Sequence, residues 1–245
     1  MVFNSLQKVE DSLNSGQLPK KIYDLILHRY EIVTKGIKRI ENAARLEYPY
    51  YYVEPNLVIS TSQVESSQFG VFFARTIPVV SDNRRLNVVI QITAPLVAFG
   101  LLGTIHAILA HEFLHYLNLI SRIMRMGIIS DSISGTLFEE RYEDSSRLME
   151  PRSVFKPDRT LVDHITKKFP EGFSDMRLEG KVVNEWMNKG LPTIKVTIDS
   201  NIVKLPIELM ANLQVDERVK QRIMEFETES SDIRHGHKKK FNHYV

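Results

Sequence analysis

Residues 111–115 read His-Glu-Phe-Leu-His, which is the pattern H-E-x-x-H. An α-helix has about 3.6 residues per turn, so His111 and His115 would lie on one face, where both imidazoles can bind one metal ion. Glu112 would lie beside that metal and can take a proton from a zinc-activated water near neutral pH. The motif therefore predicts metal-assisted hydrolysis, with His111 and His115 as zinc ligands and Glu112 as the general base.

The apolar sequence around the motif supports this interpretation. Between Ala94 and Met126 the only acidic residue is Glu112, and the first basic residue is His106. Burying these groups without partners costs roughly several kcal/mol, and a metal ion removes that penalty. The alternative is a pair of hydrogen-bonded core histidines beside an ion-paired glutamate.

The composition limits which residues can complete the site. The chain has 245 residues and no cysteine, so every protein ligand must be His, Asp or Glu. Zinc held by two histidines needs at least one further protein ligand, with the remaining position left to water. We expect that ligand downstream of the motif, and the candidates are Glu171, Glu140 and His164.

The segment Pro170-Glu171-Gly172-Phe173-Ser174-Asp175 carries a family resemblance. Together with the H-E-x-x-H motif it resembles the gluzincin metallopeptidases, in which a glutamate on a later helix, within E-G-F-A or E-x-x-x-D, completes the zinc site. The resemblance implies Glu171 as third ligand and Asp175, one turn further along the same helix, as an acceptor that orients a zinc-bound imidazole. Pro170 suits a first helical position. The resemblance covers roughly residues 86–188.

Other ligand assignments stay open. The interval of 55 residues between His115 and Glu171 is longer than in the aminopeptidase members of the group. Glu140 begins a second E-x-x-x-D at a shorter interval, and His164 would be a histidine ligand. The resemblance also implies a residue that stabilises the oxyanion of the tetrahedral intermediate. The candidates for this role are His164, Tyr142 and Arg177.

Hydrophobic periodicity predicts an α+β fold. Helical spacing over residues 20–47 follows a shorter helix over 4–14, and the break at Ser15–Pro19 makes the two an N-terminal helical hairpin. Strand-like runs follow at Leu57–Ser60, Val71–Val80 and Leu86–Thr93, the last two joined by a turn over 81–85. The resemblance makes this a zincin-like fold, with a small, mostly antiparallel sheet packed on the helix that carries the motif. Its edge strand, Leu86–Thr93, would bind the substrate backbone.

The remaining sequence predicts further helices and a tail. Gly127 is expected to end the motif helix. Helices are predicted over Glu139–Met149, Pro170–Met187 and Ile207–Glu227, with a strand over Thr193–Ile198. We therefore expect a helical hairpin over residues 1–54, a zincin-like domain over 55–229 and a basic, flexible tail over 230–245.

The balance of charges and the N-terminal residues restrict the predicted partners and the predicted location of the protein. The net charge is +2, with 32 basic and 30 acidic residues, so no overall field for nucleic acid is indicated. The first eight residues lack a basic region followed by an apolar run, which is not typical of a secretory signal and favours the cytoplasm. The apolar stretch Ala94–Ala110 is predicted to be a buried helix rather than a membrane span, because no second span accompanies it.

The sequence thus predicts a zinc-dependent peptidase that acts on a peptide or protein substrate. One alternative is a non-catalytic protein of the same fold with a structural zinc or a peptide-binding groove. Another is a protease that associates with nucleic acid through the basic residues of the tail.

Overall fold

The computed structural model describes residues 4–61, 69–80, 86–129, 137–141, 149–170, 172–197, 202–206 and 215–241. Within these ranges the chain is an α+β protein, as predicted. Its α-helices are α1 Gln7–Asn14, α2 Lys20–Ala44, α3 Ala94–Phe99, α4 Leu102–Ile129, α5 Pro151–Val154, α6 Arg159–Lys168, α7 Met176–Val182 and α8 Glu217–Phe241, and a π-helical turn spans Val183–Met187. Its strands are β1 Tyr50–Glu54, β2 Leu57–Thr61, β3 Phe69–Phe72, β4 Ala74–Val80, β5 Leu86–Thr93, β6 Leu137–Arg141, β7 Thr193–Thr197 and β8 Ile202–Pro206.

The N-terminal helical hairpin is confirmed. Helices α1 and α2 pack together and are separated by a turn in which Gly16 has a φ of +74°, a conformation that glycine adopts without strain. The apolar stripe of α2, including Ile26, Val33 and Ile40, is buried, and this helix packs against α3 and α4. Helix α2 ends at Ala44 because Arg45 takes a left-handed φ of 56°.

The strands form three small sheets instead of the one sheet that the sequence predicts. The first has the order β1-β5-β4, with β1 parallel and β4 antiparallel to β5. The second has the order β3-β2-β7, with β3 antiparallel and β7 parallel to β2. The third pairs β6 with β8. Parallel pairing joins segments that are distant in the chain, which local sequence patterns do not reveal.

Several element boundaries differ from those predicted. Helix α4 continues past Gly127 to Ile129, and residues 139–141, which were predicted to be helical, belong to strand β6. The helix predicted from Pro170 begins at Met176, because the Asp175 side chain accepts the backbone N–H of Leu178 and caps the helix there. The last helix begins at Glu217 and runs to Phe241, so residues 230–241 are helical.

Helix α4 lies at the centre of the fold. It packs against α2, α6, α8 and β4, and it is buried on most sides, for example at Ile105, Leu109 and Phe113. The apolar stretch from Ala94 is divided between α3 and α4 by the backbone at Gly100 and Leu101. Across the described ranges, no helix combines the length and the apolar character needed to cross a bilayer.

Two glycines allow the neighbouring helices to approach α4 closely. A Cβ on Gly36 of α2 would lie 2.6 Å from Cδ2 of His106, and a Cβ on Gly103 of α4 would lie 3.0 Å from Cε1 of His164 in α6. Both contacts are tighter than ordinary van der Waals packing allows for a side chain. The lack of a side chain at these two positions therefore sets how α2 and α6 lie on the helix that carries the motif.

Candidate metal centre

His111 and His115 converge through the same ring atom. Their Nε2 atoms lie 3.0 Å apart, and their ring planes are nearly perpendicular at 86°. Two Nε2 ligands of a tetrahedral zinc, with Zn–N distances of about 2.0–2.1 Å, would lie about 3.3 Å apart. The observed distance is close to that of two ligands that share one metal ion, and it also fits a direct hydrogen bond between the two rings.

Burial favours the ligand form of these imidazoles. His115 is only 7% exposed, and His111 is partly buried in the same region. Burial and the nearby His115 hold the pKa of His111 well below its ordinary value. A neutral imidazole keeps the lone pair that binds a metal, so His111 is in its ligand form at neutral pH.

Glu112 faces the first sheet. Its side chain is buried, at 8% exposure, and its Oε2 lies 2.8 Å from the hydroxyl of Thr76 in β4. The same hydroxyl lies 3.0 Å from the backbone oxygen of Glu112. The carboxylate therefore belongs to the residue next to His111, a predicted metal ligand, and is in hydrogen-bond contact with the neighbouring strand.

An aromatic cluster covers one face of His111. The ring of Phe169, which follows α6, stacks on the His111 imidazole with centroids 3.8 Å apart and an angle of 8°. Phe173 packs against Phe169 at 5.4 Å and against Phe73 at 5.1 Å. Phe169 therefore contacts the motif directly, and Phe173 packs on the other side of the same cluster.

The described residues supply two of the three expected ligands. Glu171 lies outside the described residues, and Glu140 is described only through its backbone, which pairs with Val203 in the β6–β8 ribbon. The ring of His164 lies against Gly103, eight residues before His111 in α4. Among the described side chains, no third His, Asp or Glu joins the His111–His115 pair.

Asp175 has partners other than the imidazoles of His111 and His115. It is buried at 6% exposure and accepts hydrogen bonds from Thr104 Oγ1 at 2.7 Å, Lys168 Nζ at 2.6 Å and Leu178 N at 3.1 Å. Burial raises the pKa of its carboxyl, but the bonds from Lys168, Thr104 and Leu178 outweigh burial and lower it overall. Asp175 thus ties the start of α7 to the first turns of α4.

The candidates for oxyanion stabilisation are dispersed. Arg177 is exposed and donates to the backbone oxygen of Phe99 at 3.2 Å, and His164 lies at Gly103. Tyr142 lies outside the described residues. A tyrosine that the sequence reasoning did not consider, Tyr48, is buried near the motif helix and donates to the backbone oxygen of Leu109 at 2.8 Å. Burial, followed by the charge of Glu112, raises the pKa of Tyr48 well above its ordinary value.

The predicted substrate strand is wrong in position. Strand β5, which spans Leu86–Thr93, lies between β1 and β4, so β1 and β4 are the two edges of this sheet in the part of the chain that the structure describes. Thr93 N donates to Phe73 O, and the register then directs the backbone groups of Ala74, Thr76 and Pro78 away from β5. Thr76 is only 1% exposed, so its outward backbone groups are covered.

Sequence reasoning missed Thr76, which contacts Glu112, and Phe169, which stacks on His111. Strand alternation puts Thr76 on the same face as Ala74, but nothing local indicates what that face meets. Comparison with known protein families, curated proteins and solved structures finds no match to the chain. The interpretation of the centre therefore depends on its own geometry: two converging imidazoles and a buried carboxylate on one helix.

Proposed function

We propose that this protein is a zinc-dependent peptidase of zincin-like fold, in which His111 and His115 bind the metal and Glu112 is the general base. The observation that carries the proposal is the 3.0 Å approach of the two Nε2 atoms, with Glu112 buried beside them. The same distance also fits a direct hydrogen bond between the two rings, so the measurement of zinc content below separates the two explanations. A shared metal gives that geometry a chemical purpose.

Glu171 is our assignment for the third ligand. Glu171 comes two residues after Phe169, whose ring stacks on His111. It comes two residues before Phe173, which contacts both Phe169 and Phe73. Of these two phenylalanines, Phe169 stacks directly on His111, and Phe173 reaches the motif only through Phe169. His164 is disfavoured because eight residues of helix, about 12 Å along the axis, separate its contact at Gly103 from His111.

The roles of the protein groups follow from their positions. Zinc, when bound, supplies a Lewis acid that makes a water acidic enough to lose its proton near pH 7. Glu112 takes that proton and returns it to the leaving amine, which completes hydrolysis without a covalent enzyme intermediate. The neutral state of His111 and the buried position of Glu112 suit both groups to these tasks.

We further propose that an extended substrate pairs with the edge of β4, not with β5. The outward backbone groups of Ala74 and Thr76 can donate and accept hydrogen bonds, whereas Pro78 has no N–H and limits pairing at that end. Because Thr76 is only 1% exposed, this edge must become exposed before a peptide can pair with it.

The test compares the wild-type protein with Glu112→Gln and with a control, Glu179→Gln, at an exposed position of α7. Zinc content is measured by elemental analysis, and cleavage is measured on a mixed peptide library. We expect one zinc per chain in all three proteins and cleavage that falls at least about 100-fold in Glu112→Gln alone. Wild-type protein that binds no zinc, or equal cleavage by Glu112→Gln, would contradict the proposal.

The burial of the centre favours a second candidate, a structural zinc site in a non-catalytic protein. His115 and Glu112 are both less than a tenth exposed, which is typical of a closed site. Cobalt substitution separates the two functions. A closed four-ligand site gives a tetrahedral visible spectrum that added hydroxamate leaves unchanged, whereas an open catalytic site changes its spectrum when hydroxamate binds.

A further inference from the structure

Thr76 links the first sheet to the motif helix at the candidate general base. It lies on β4, 36 residues before Glu112, and it is only 1% exposed. Its hydroxyl is within hydrogen-bond distance of two acceptors on Glu112, the carboxylate Oε2 at 2.8 Å and the backbone oxygen at 3.0 Å. A hydroxyl has one proton, so it donates mainly to one of them.

The carboxylate is the stronger acceptor of the two. Hydrogen bonds to an ionised acceptor are roughly twice as strong as those between neutral groups, and Oε2 is also the nearer atom. The backbone oxygen of Glu112 lies within helix α4, where it can accept the N–H four residues further on. We therefore expect the Thr76 hydroxyl to donate its hydrogen bond to the carboxylate of Glu112.

We propose that Thr76 is a positioning residue for Glu112, an inference that rests on the proposed function. A glutamate side chain has three rotatable bonds, and fixing one carboxylate oxygen removes much of that freedom. With Oε2 bonded to Thr76, the carboxylate keeps one orientation beside His111 and His115. Thr76 thus acts through Glu112 and does not touch the reacting atoms.

The chain offers a matched control in Thr93. This threonine is also fully buried in the first sheet, and its hydroxyl donates to the backbone oxygen of Phe73 at 3.0 Å. Thr93→Val removes a hydroxyl-to-backbone bond from the same sheet without touching Glu112. Thr76→Val removes the bond to Glu112 with little change in side-chain shape, and Thr76→Ser keeps the hydroxyl.

The first measurement is steady-state cleavage by the zinc-loaded proteins. We expect Thr76→Val to lower kcat about tenfold with KM changed less than about twofold, because general-base catalysis depends on the orientation of the base. Thr76→Ser should stay within about twofold of wild type, and so should Thr93→Val. Equal losses in Thr76→Val and Thr93→Val, or a loss in Thr76→Ser as large as in Thr76→Val, would overturn the proposal.

The second measurement uses melting temperatures of the metal-free proteins and does not depend on activity. Thr76→Val is made in the wild-type and in the Glu112→Ala background. If the hydroxyl bonds the carboxylate, Thr76→Val should lower the melting temperature by about 2–4 °C in the wild type and by less in Glu112→Ala. An equal decrease in both backgrounds would mean that the Thr76 hydroxyl donates to the backbone oxygen of Glu112, and it would overturn the proposal. If the wild-type protein does not cleave peptides, that result contradicts the peptidase function and not the contact. The melting temperatures of the four proteins still decide whether the Thr76 hydroxyl bonds the Glu112 carboxylate.

Discussion

Arg39 of α2 and Asp158 at the start of α6 form a two-pronged ion pair, with Nε 2.5 Å from Oδ2 and Nη2 2.7 Å from Oδ1. Arg39 Nη1 also lies 3.3 Å from Nδ1 of His106, which is on α4. A single guanidinium therefore connects three helices, and one of them carries the metal-binding motif. Residues that are distant in sequence thus hold the helices around the candidate centre.

Asp158→Asn should destabilise the protein by about 1–3 kcal/mol at neutral pH, because it leaves the partly buried Arg39 without its charged partner. Hydrogen bonding to Arg39 is the main cause that lowers the pKa of Asp158. Its contribution is therefore present above the unfolded pKa of about 3.9 and is lost as the pH falls through the lower folded value. Urea unfolding from pH 2 to 7 measures this. The control is Asp24→Asn, in an exposed pair with Lys20, and equal effects of the two changes would contradict the prediction.

His106→Gln should reduce the loss of stability on mild acidification. Burial is the main cause that lowers the pKa of His106, whose Nδ1 faces Arg39 and whose Nε2 lies 3.1 Å from the backbone oxygen of Ile32. The unfolded chain then binds more protons below its pKa of about 6.5, so stability falls as the pH drops from there. The pKa of His111 is lowered in the same direction, and part of the slope should therefore remain. Unfolding of metal-free protein between pH 5 and 7.5 measures the slope, and a slope in His106→Gln as steep as in the wild type would contradict the prediction.

Gly36→Ala should destabilise the protein, by about 1–3 kcal/mol, because the new Cβ would lie 2.6 Å from the His106 ring, which hydrogen bonds hold in place. Gly180→Ala is the matched control, since its Cβ meets nothing within 4 Å in α7 and should stabilise by up to about 1 kcal/mol. Chemical denaturation of both variants gives the comparison. A neutral Gly36→Ala would mean that α2 can shift away from α4 at no cost.

Glu171→Gln should weaken zinc binding by more than about 100-fold, because it changes a proposed ligand. Changes to residues that only support the ligands typically cost roughly 10–100-fold. Glu140→Gln and His164→Ala should leave the affinity close to wild type, because His164 contacts Gly103 and Glu140 belongs to the β6–β8 ribbon. Competition with a chromogenic chelator measures the affinities. A large loss in Glu140→Gln, with none in Glu171→Gln, would reassign the third ligand to Glu140.

Local patterns predicted the elements whose signals lie within the element itself. Periodicity predicted the apolar stripe of α2 and the strand β7. A short connection predicted the antiparallel pairing of β4 with β5. The helix predicted over residues 139–149 is wrong at residues 139–141, which form part of strand β6. Residues 139–141 pair with β8, more than 60 positions away, and this pairing overrides a helical preference that is only weak.

The helix predicted from Pro170 shows a second reason for failure. Proline is well suited to a first helical position, but a capping side chain also favours a helix start. Asp175 caps Leu178 while Thr104 and Lys168 hold its second carboxylate oxygen, so the helix begins at Met176. The Asp175 carboxylate thus attaches α7 to α4, and the role that the family resemblance implies for it, orientation of an imidazole, stays a prediction.

The sequence by itself determined the paired imidazoles of His111 and His115 and the carboxylate between them, because helical geometry relates residues one turn apart wherever the helix lies. Only the tertiary structure decided that Thr76 meets Glu112 and that Phe169 stacks on His111. These contacts join segments that are far apart in the chain, and they arise from the packing of whole sheets and helices. That packing depends on shape complementarity across the core, which no short stretch of sequence encodes.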